Sequence, residues 1–198
     1  MSVKALLIST AALGLATAMF AVAGCGAGPY GFSRHYTPLD DEEDLYDSSK
    51  EYPYEAVTSD PDDYQGKTLR WFGIVQQVEP ADDGRHRVRM SHHQHQDRHL
   101  CEGETHSSCR VTVHFKSSGG FTALLKLRQE DVVPGLDKVQ PGSLLHVYGK
   151  VRCRYDEDDE ETICDYDDLG GPLLDGEFYR QWPARYFVTT RAASSMRR

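Results

Sequence analysis

The densest set of potential metal ligands in the chain lies in a histidine-rich segment, Ser91–Cys101, which His106 and Cys109 follow. Neutral imidazole binds zinc, copper or nickel, and histidines two residues apart share one side of a strand. The candidate ligands are His93, His95 and His99. The alternative is a solvated histidine-rich loop closed by a disulfide, and such tracts bind metals adventitiously. We favour the loop and assign the chain no cofactor.

Cysteine spacing predicts two local disulfides. Apart from Cys25, the chain has Cys101, Cys109, Cys153 and Cys164, for which three pairings are formally possible. We favour Cys101 with Cys109 and Cys153 with Cys164, because each pair brackets a polar insertion with little apolar surface to hold it. An even number of cysteines is typical of an exported protein, and the spacing matches neither a redox motif nor a zinc ribbon.

Other reactive residue types do not form a recognisable catalytic motif. The segment Ser117–Gly120 lacks the G-x-S-x-G context of a serine nucleophile. The acidic run Asp156–Glu161 lacks the glycine that a calcium-binding EF-hand loop needs at its sixth position, which favours a solvated hairpin tip. We therefore predict that the protein is not an enzyme.

The N-terminus has the layout of a secretory signal peptide. A basic start, Met1–Lys4, precedes an apolar segment, Ala5–Ala23, that ends in the sequence Val22-Ala23-Gly24-Cys25. These four residues resemble the lipobox of bacterial lipoproteins, which implies cleavage after residue 24 and a lipid on Cys25. The alternative is an ordinary signal peptide or an uncleaved anchor helix. Because Gly26 is not aspartate, the resemblance implies an outer-membrane location facing the periplasm.

Charge excludes one class of partner. The net charge of the chain is −9, and removal of residues 1–24, whose single charged side chain is Lys4, leaves −10. Nucleic-acid binding depends on neutralising phosphates with Lys and Arg, so we expect no nucleic acid. An acidic surface also disfavours adhesion to anionic lipid, which leaves the lipid on Cys25 as the expected membrane contact.

Residues 25–58 are predicted to form a flexible acidic tether. They contain the run Asp40–Asp44 and few aliphatic side chains, too little apolar surface to offset the entropy of ordering. About thirty flexible residues span roughly 30 Å, which would hold the domain clear of the membrane. The tyrosines of the segment are an open question, because some of them could dock onto the domain. The tail 192–198 is predicted to be frayed.

Residues 59–191 are predicted to form one all-β domain. Short alternating apolar and polar segments, such as Arg110–Phe115 and Leu144–Val151, are typical of half-buried strands, and Gly73 within the long first strand suggests a bulge or a sharp coil. Three strands, a short helix and two further strands match the small five- to six-stranded barrel of the OB-fold. The alternative is a β-sandwich.

Basic side chains mark one candidate binding face. Arg85, Arg87 and Arg89 project from one side of the predicted second strand, and Arg110 and His114 from the predicted third. In OB-folds the face of strands two and three is the usual ligand surface. The alternative is an exposed face that acidic loops neutralise.

The strand sequences carry a family resemblance. The segments DPDDYQGKTLRWFGIVQQVE, VQPGSLLHVYGKV and EFYRQWPARYFV are similar to the OB-like domain of Slp-type outer-membrane lipoproteins. The insertions at 91–109 and 153–178 depart from that pattern. We expect a non-catalytic binding or scaffolding module whose partner is an envelope protein or an anionic polymer. The alternative is a metal-binding envelope protein that uses the insertion at 92–106.

Overall fold

The computed structural model describes residues 32–96, 98–101, 109–135, 138–156, 161–165 and 171–190. The strands are β1 (Phe32–His35), β2 (Thr68–Pro80), β3 (His86–His92), β4 (Arg98–Cys101), β5 (Cys109–His114), β6 (Gly119–Leu125), β7 (Leu144–Val151), β8 (Cys153–Asp156), β9 (Glu161–Cys164), β10 (Leu173–Trp182) and β11 (Phe187–Thr190). The helices are α1 (Glu43–Ser48), α2 (Tyr54–Ser59) and α3 (Gln129–Val132), and Pro61–Tyr64 forms a 3-10 turn.

Five strands close into a barrel in the order β10-β6-β3-β2-β7. Strand β2 pairs antiparallel with both β3 and β7, whereas β6 and β10 pair in parallel. Helix α3 lies between β6 and β7 along the chain. Numbered along the chain, the barrel strands therefore follow the order 1-2-3-5-4, the Greek-key arrangement of an OB-like barrel. The prediction of a small all-β barrel with a short helix is confirmed over the alternative sandwich.

Alternation along each strand fills the barrel with apolar side chains. The interior residues include Leu69, Trp71, Val75, Val88, Met90, Phe121, Ala123, Leu125, Leu145, Val147 and Leu174. Gly73 lies where β2 crosses this core, and a Cβ there would come within 2.8 Å of Met90 and Phe121. The register of β2 against β3 is regular at Gly73 and shifts between Val75 and Gln77, so the irregularity in this strand lies beyond the glycine, whose place is set by the close approach of Met90 and Phe121.

A second sheet, in the order β1-β4-β5-β11, is joined to the outer face of the barrel by a second apolar cluster. Val111 and Val113 of β5 are buried there with Phe72 of β2 and Leu144 of β7. Val111 and Val113 are buried as the alternation of β5 predicted, but Thr112, expected to face outward, is also buried, and Phe115, expected to face inward, is exposed. The position of the strand was not predicted either. The third barrel strand is β6, and β5 belongs to the covering sheet.

The N-terminal segment differs most from its prediction. Residues 36–52, called the strap below, pack against the barrel. The backbone of Lys50 bridges Leu69 of β2, and the indole N–H of Trp71 donates to the carbonyl oxygen of Tyr52 at 2.7 Å. The tether interpretation is therefore corrected for residues 32–58, whereas residues 25–31, Cys25, the signal peptide and the tail 192–198 lie outside the described residues. Among the helices that the structure describes, none has the length and apolar character to cross a membrane.

Both predicted cysteine pairs lie on paired strands. Cys153 and Cys164 form a disulfide that closes the β8–β9 hairpin, as predicted. The backbone of Cys101 in β4 lies directly across from that of Cys109 in β5. The side chains of this second pair lie outside the described ones, so their disulfide stays a prediction.

Peptide mapping without reduction is expected to find Cys101 linked to Cys109 and Cys153 linked to Cys164, with no free thiol between residues 59 and 190. Opposed strand positions bring the two β-carbons of each pair within bridging distance, which is the physical reason for local pairing. A peptide that joins Cys101 to Cys153 would contradict both the register and the prediction.

Candidate functional site

A buried carboxylate joins the strap to the barrel. Glu42, immediately before α1, is fully buried, and hydrogen bonds reach both of its oxygens. Oε1 accepts from the Tyr36 hydroxyl, from the Tyr148 hydroxyl at 2.7 Å and from Nδ1 of His146 at 3.0 Å. Oε2 accepts from the backbone N–H of Leu39 at 3.0 Å and from Nη1 of Arg180 at 3.1 Å. A charge taken out of water is tolerated here because every side of it meets a donor.

The hydrogen bonds set the charge state of this cluster. Burial alone would raise the pKa of Glu42, but the bonds from His146, Tyr36 and Tyr148 outweigh it and hold the pKa at about 2. Burial lowers the pKa of His146 to about 4, against the opposite effect of Glu42. Burial and the bonds to Glu42 raise the pKa of both tyrosines. At neutral pH the centre is therefore a carboxylate that accepts from a neutral imidazole and two phenols.

Aromatic rings connect this centre to the histidine-rich segment. The Phe72 ring lies between two imidazoles, with centroids 3.9 Å from His146 and 4.5 Å from His95, and both pairs are nearly parallel. The Tyr36 ring lies edge-on to both histidines and to His99, with centroids 5.4–5.5 Å apart. The Tyr36 ring of the strap thus contacts three histidines, His95, His99 and His146.

A cavity of about 170 Å³ lies beside this stack, between the strap and the barrel. Its lining consists of His35, Tyr36, Tyr46, Glu51, Arg70, Phe72, His95 and His146. Arg70 brings a positive charge from β2 and Glu51 a negative charge from the strap, while aromatic rings form much of the remaining wall. The wall therefore combines two charged groups with imidazole and phenol rings, so polar contacts would dominate the recognition of a small ligand here.

The structure brings together two of the three candidate metal ligands. The Nε2 atoms of His95 and His99 lie 3.0 Å apart. His93 lies in other contacts, since its ring nitrogens are 3.0 Å from the Ser91 hydroxyl and 2.8 Å from the carbonyl oxygen of His114. Within the described part of the chain, no three His, Cys, Asp or Glu side chains are grouped to hold a metal ion.

Burial keeps both histidines of the pair neutral. It lowers the pKa of His95 to about 3, with His99, His146 and Arg70 adding to the effect. It lowers the pKa of His99 to about 4, with the charge of Arg180 adding to the effect. Both imidazoles of the pair are therefore uncharged at neutral pH, and the uncharged imidazole is the form in which histidine binds metals.

The candidate arginine face is largely neutralised by its neighbours. Arg85 forms ion pairs with Asp83 at 2.6 Å and with Asp175 at 2.9 Å. Arg87 lies directly across from Glu79 of β2, an opposite-charge pair between strands. Arg89 remains on the outward side of β3, between the buried Val88 and Met90.

The other two candidates of that face lie elsewhere. Arg110 and His114 are on β5, which pairs with β4 and β11 rather than with β3. Arg110 donates to the carbonyl oxygen of Arg185, and Nδ1 of His114 lies 3.2 Å from the carbonyl oxygen of Lys116. The expected single basic surface on strands two and three does not form, because the inserted sheet carries the third predicted strand away from the barrel.

Sequence reasoning missed the strap and most of the residues that line the cavity. Tyr36, Glu42 and Glu51 were assigned to a tether, and Arg70 and His146 were not singled out. The available signal was the alternation of β7, which places His146 and Tyr148 on the outer side of the barrel. Two polar aromatic side chains on an otherwise apolar strand indicate that something covers them.

Comparison with known proteins adds no relative. No protein-family model, no curated protein and no solved structure matches the chain. The case for a function therefore rests on the side chains. Glu42 is fully buried and its carboxylate holds the strap, whereas the cavity beside it leaves room for a small ligand.

Proposed function

We propose that this protein is a lipid-anchored, non-catalytic binding or scaffolding module of the bacterial cell envelope, held at the outer membrane and facing the periplasm. The observation that carries the binding role is the cavity between the strap and the barrel, with one cation, one carboxylate and aromatic walls. The lipobox-like sequence at Val22–Cys25 supports the anchor. The Cys153–Cys164 disulfide supports an oxidising compartment.

The packed strap changes the geometry of the proposed anchor. Strand β1 begins at Phe32, seven residues after Cys25. A chain of that length reaches at most about 25 Å when fully extended. The first strand of the domain would therefore stay within that distance of the lipid, closer than a flexible tether of thirty residues would place it. The partner we propose is an envelope protein or an anionic polymer close to the membrane surface.

The anchor predicts a clear result for Cys25→Ala. Without the thiol no lipid is attached, so the variant is expected to move from the detergent phase to the aqueous phase on partitioning. Two or more acyl chains hold a protein durably, so the shift is expected to be nearly complete. The intact mass of the wild-type mature protein shows directly whether Cys25 carries a lipid. An unmodified Cys25 there would overturn the lipoprotein proposal.

Metal binding is the second candidate function, and the convergence of His95 and His99 favours it. A structural zinc site takes four ligands, and this pair supplies half of them. Because two ligands are too few for a tight site, we expect that the wild-type protein does not bind zinc or copper at one equivalent with sub-micromolar affinity. His95→Ala with His99→Ala tests the pair, and His93→Ala, which changes a histidine held in other contacts, is the matched control. Tight binding that only the double variant loses would favour the metal-binding function over the proposed one.

A further inference from the structure

Two Asp–Gly sequences in the chain share a single arginine. They are Asp83–Gly84 and Asp175–Gly176, and the chain contains no asparagine. Arg85 donates from Nε to Oδ2 of Asp83 at 2.7 Å and from Nη1 to Oδ1 of Asp175 at 2.9 Å. Asp–Gly is the aspartyl sequence that cyclises most readily, because glycine has no side chain to obstruct attack by its amide nitrogen on the carboxyl carbon. Arg85 therefore contacts both of the reactive carboxyl groups.

Asp83 and Gly84, called the hairpin tip below, lie in the turn between β2 and β3. The N–H of Gly84 donates to the carbonyl oxygen of Ala81 at 3.3 Å, and Gly84 has a φ of 78°, which glycine adopts without strain. A Cβ placed on Gly84 would meet no atom of the described residues within 4 Å, and the Asp83 side chain is 48% exposed. Packing therefore does not prevent cyclisation at the hairpin tip.

Asp175 and Gly176 lie in a closed part of the fold. They belong to β10, which pairs with β6 on one side and with β7 on the other. A Cβ placed on Gly176 would overlap the Leu125 side chain. Cyclisation has to bring the glycine nitrogen onto the aspartyl side chain, and the paired strand opposes that movement. Of the two sequences, the hairpin tip is the one that can react in the folded protein.

Hydrogen bonds from Arg85 oppose the reaction at Asp83. Nε of Arg85 binds Oδ2, and the backbone N–H of Arg85 donates to Oδ1 at 3.0 Å, so both carboxyl oxygens are held. These bonds lower the pKa of Asp83. Ring closure is faster from the protonated carboxyl, because its oxygen then leaves as water. An arginine that keeps the carboxyl ionised and fixes its direction therefore slows the first step.

We propose that Asp83–Gly84 is a site of isoaspartate formation in this protein and that Arg85 restrains the reaction. The Gly84 nitrogen forms a bond to Cγ of Asp83, and the amide hydrogen and the carboxyl hydroxyl leave as water. Water then opens the succinimide ring at either carbonyl, which regenerates aspartate or leaves isoaspartate with one more methylene in the backbone. No reactant other than water takes part. The inference is independent of the proposed function, since it concerns the chemical durability of the hairpin tip.

Ageing of the full chain in mild detergent at pH 6 and 37 °C tests the proposal, with peptide mapping to measure isoaspartate at residues 83 and 175. We expect Arg85→Met to form isoaspartate at residue 83 at least threefold faster than the wild type. Arg85→Lys keeps the charge but not the planar fork of donors, so an intermediate rate is expected. Residue 175 is expected to stay unmodified in the folded variant, although it loses the same arginine. Equal rates at residue 83 in the wild type and Arg85→Met would contradict the proposal.

Salt separates the ion pair from a general loosening of the turn. Exposed ion pairs weaken in salt, so 1 M NaCl is expected to raise the rate at residue 83 in the wild type and to leave the rate in Arg85→Met unchanged. If Arg85→Met also accelerates the reaction at residue 175, that variant has unfolded, and the absence of a salt effect in the wild type would then overturn the proposal.

Arg152→Met is the matched control for the loss of an arginine. Arg152 is exposed and pairs with Asp165 at 3.3 Å, and a tyrosine rather than a glycine follows that aspartate. This variant is expected to keep the wild-type rate at residue 83. Equal acceleration in the Arg85 and Arg152 variants would show that the loss of positive charge, and not the contact with Asp83, controls the reaction, and the assignment of Arg85 would be wrong.

Discussion

Replacing Glu42 with Gln is expected to lower the free energy of unfolding by about 3 kcal/mol or more, the cost typical of breaking a buried charged network from one side. The amide keeps the shape of the side chain but exchanges one acceptor for a donor. If its nitrogen takes the place of Oε1, it faces the donors on Tyr36 and Tyr148. If it takes the place of Oε2, it faces Arg180 and the N–H of Leu39. Either orientation leaves buried donors unpaired.

The neighbouring residue offers a matched control. Glu43 is exposed in the first turn of α1, so Glu43→Gln makes the same chemical change one position along the chain. It is expected to change the free energy of unfolding by less than about 0.5 kcal/mol, as for other exposed substitutions. Urea denaturation followed by tryptophan fluorescence measures both variants. Equal, small effects at the two positions would show that the Glu42 network does not hold the strap.

The barrel could be predicted because the pattern that specifies each of its strands lies within the sequence of that strand. Alternation in β2, β3 and β7 places apolar side chains on one side of each strand, and this pattern alone selects a half-buried sheet. The β8–β9 disulfide was predictable for the same reason, since Cys153 and Cys164 are close in the sequence and bracket one hairpin. The position of β5 was not, because alternation reports a buried face without saying which sheet buries it.

The strap was not predictable from its composition. Its contacts with the barrel come from Tyr rings, one carboxylate and backbone hydrogen bonds, rather than from the aliphatic burial that a hydropathy argument counts. From the sequence alone, an acidic residue is predicted to be exposed to solvent, even where it lies at the centre of a packed interface. Glu42 can be buried because side chains of β7 and β10 form hydrogen bonds with its carboxylate. Those residues lie more than a hundred positions away in the sequence, so their proximity to Glu42 is visible only in the structure.

Acid is expected to unfold the domain through its buried histidines. Burial lowers the pKa to about 4 at His92, His99 and His146 and to about 3 at His95, from an ordinary 6.5. Between these values the unfolded chain binds more protons than the folded one, so stability falls as the pH drops from about 6.5 towards 4. Glu42, with a pKa of about 2, adds to the loss below about 4.5. A single histidine whose pKa is lowered from 6.5 to about 4 costs about 2 kcal/mol of stability at pH 5 and about 3 kcal/mol at pH 4, and a typical domain has about 5–15 kcal/mol in total.

His92 allows the contribution of one histidine to be isolated. Its ring is buried against Tyr54, Trp71 and Phe121, and both of its nitrogens lack a partner among the described residues. Burial is the main cause of its low pKa, and electrostatic repulsion from His93 lowers that pKa further. His92→Leu removes the titrating group at similar volume and is expected to lessen the stability loss between pH 7 and pH 5 by about 2 kcal/mol.

The matched control for this variant is Met90→Leu on the same strand, which alters the core without removing a titrating group and is expected to keep the wild-type pH dependence. Urea unfolding of both variants and of the wild type at pH 7, 6 and 5 separates the two effects, because repacking shifts all pH values alike whereas loss of a proton site changes the slope. A wild-type stability that stays flat from pH 7 to pH 5 would contradict the account, since it would mean that the folded and unfolded chains bind the same number of protons.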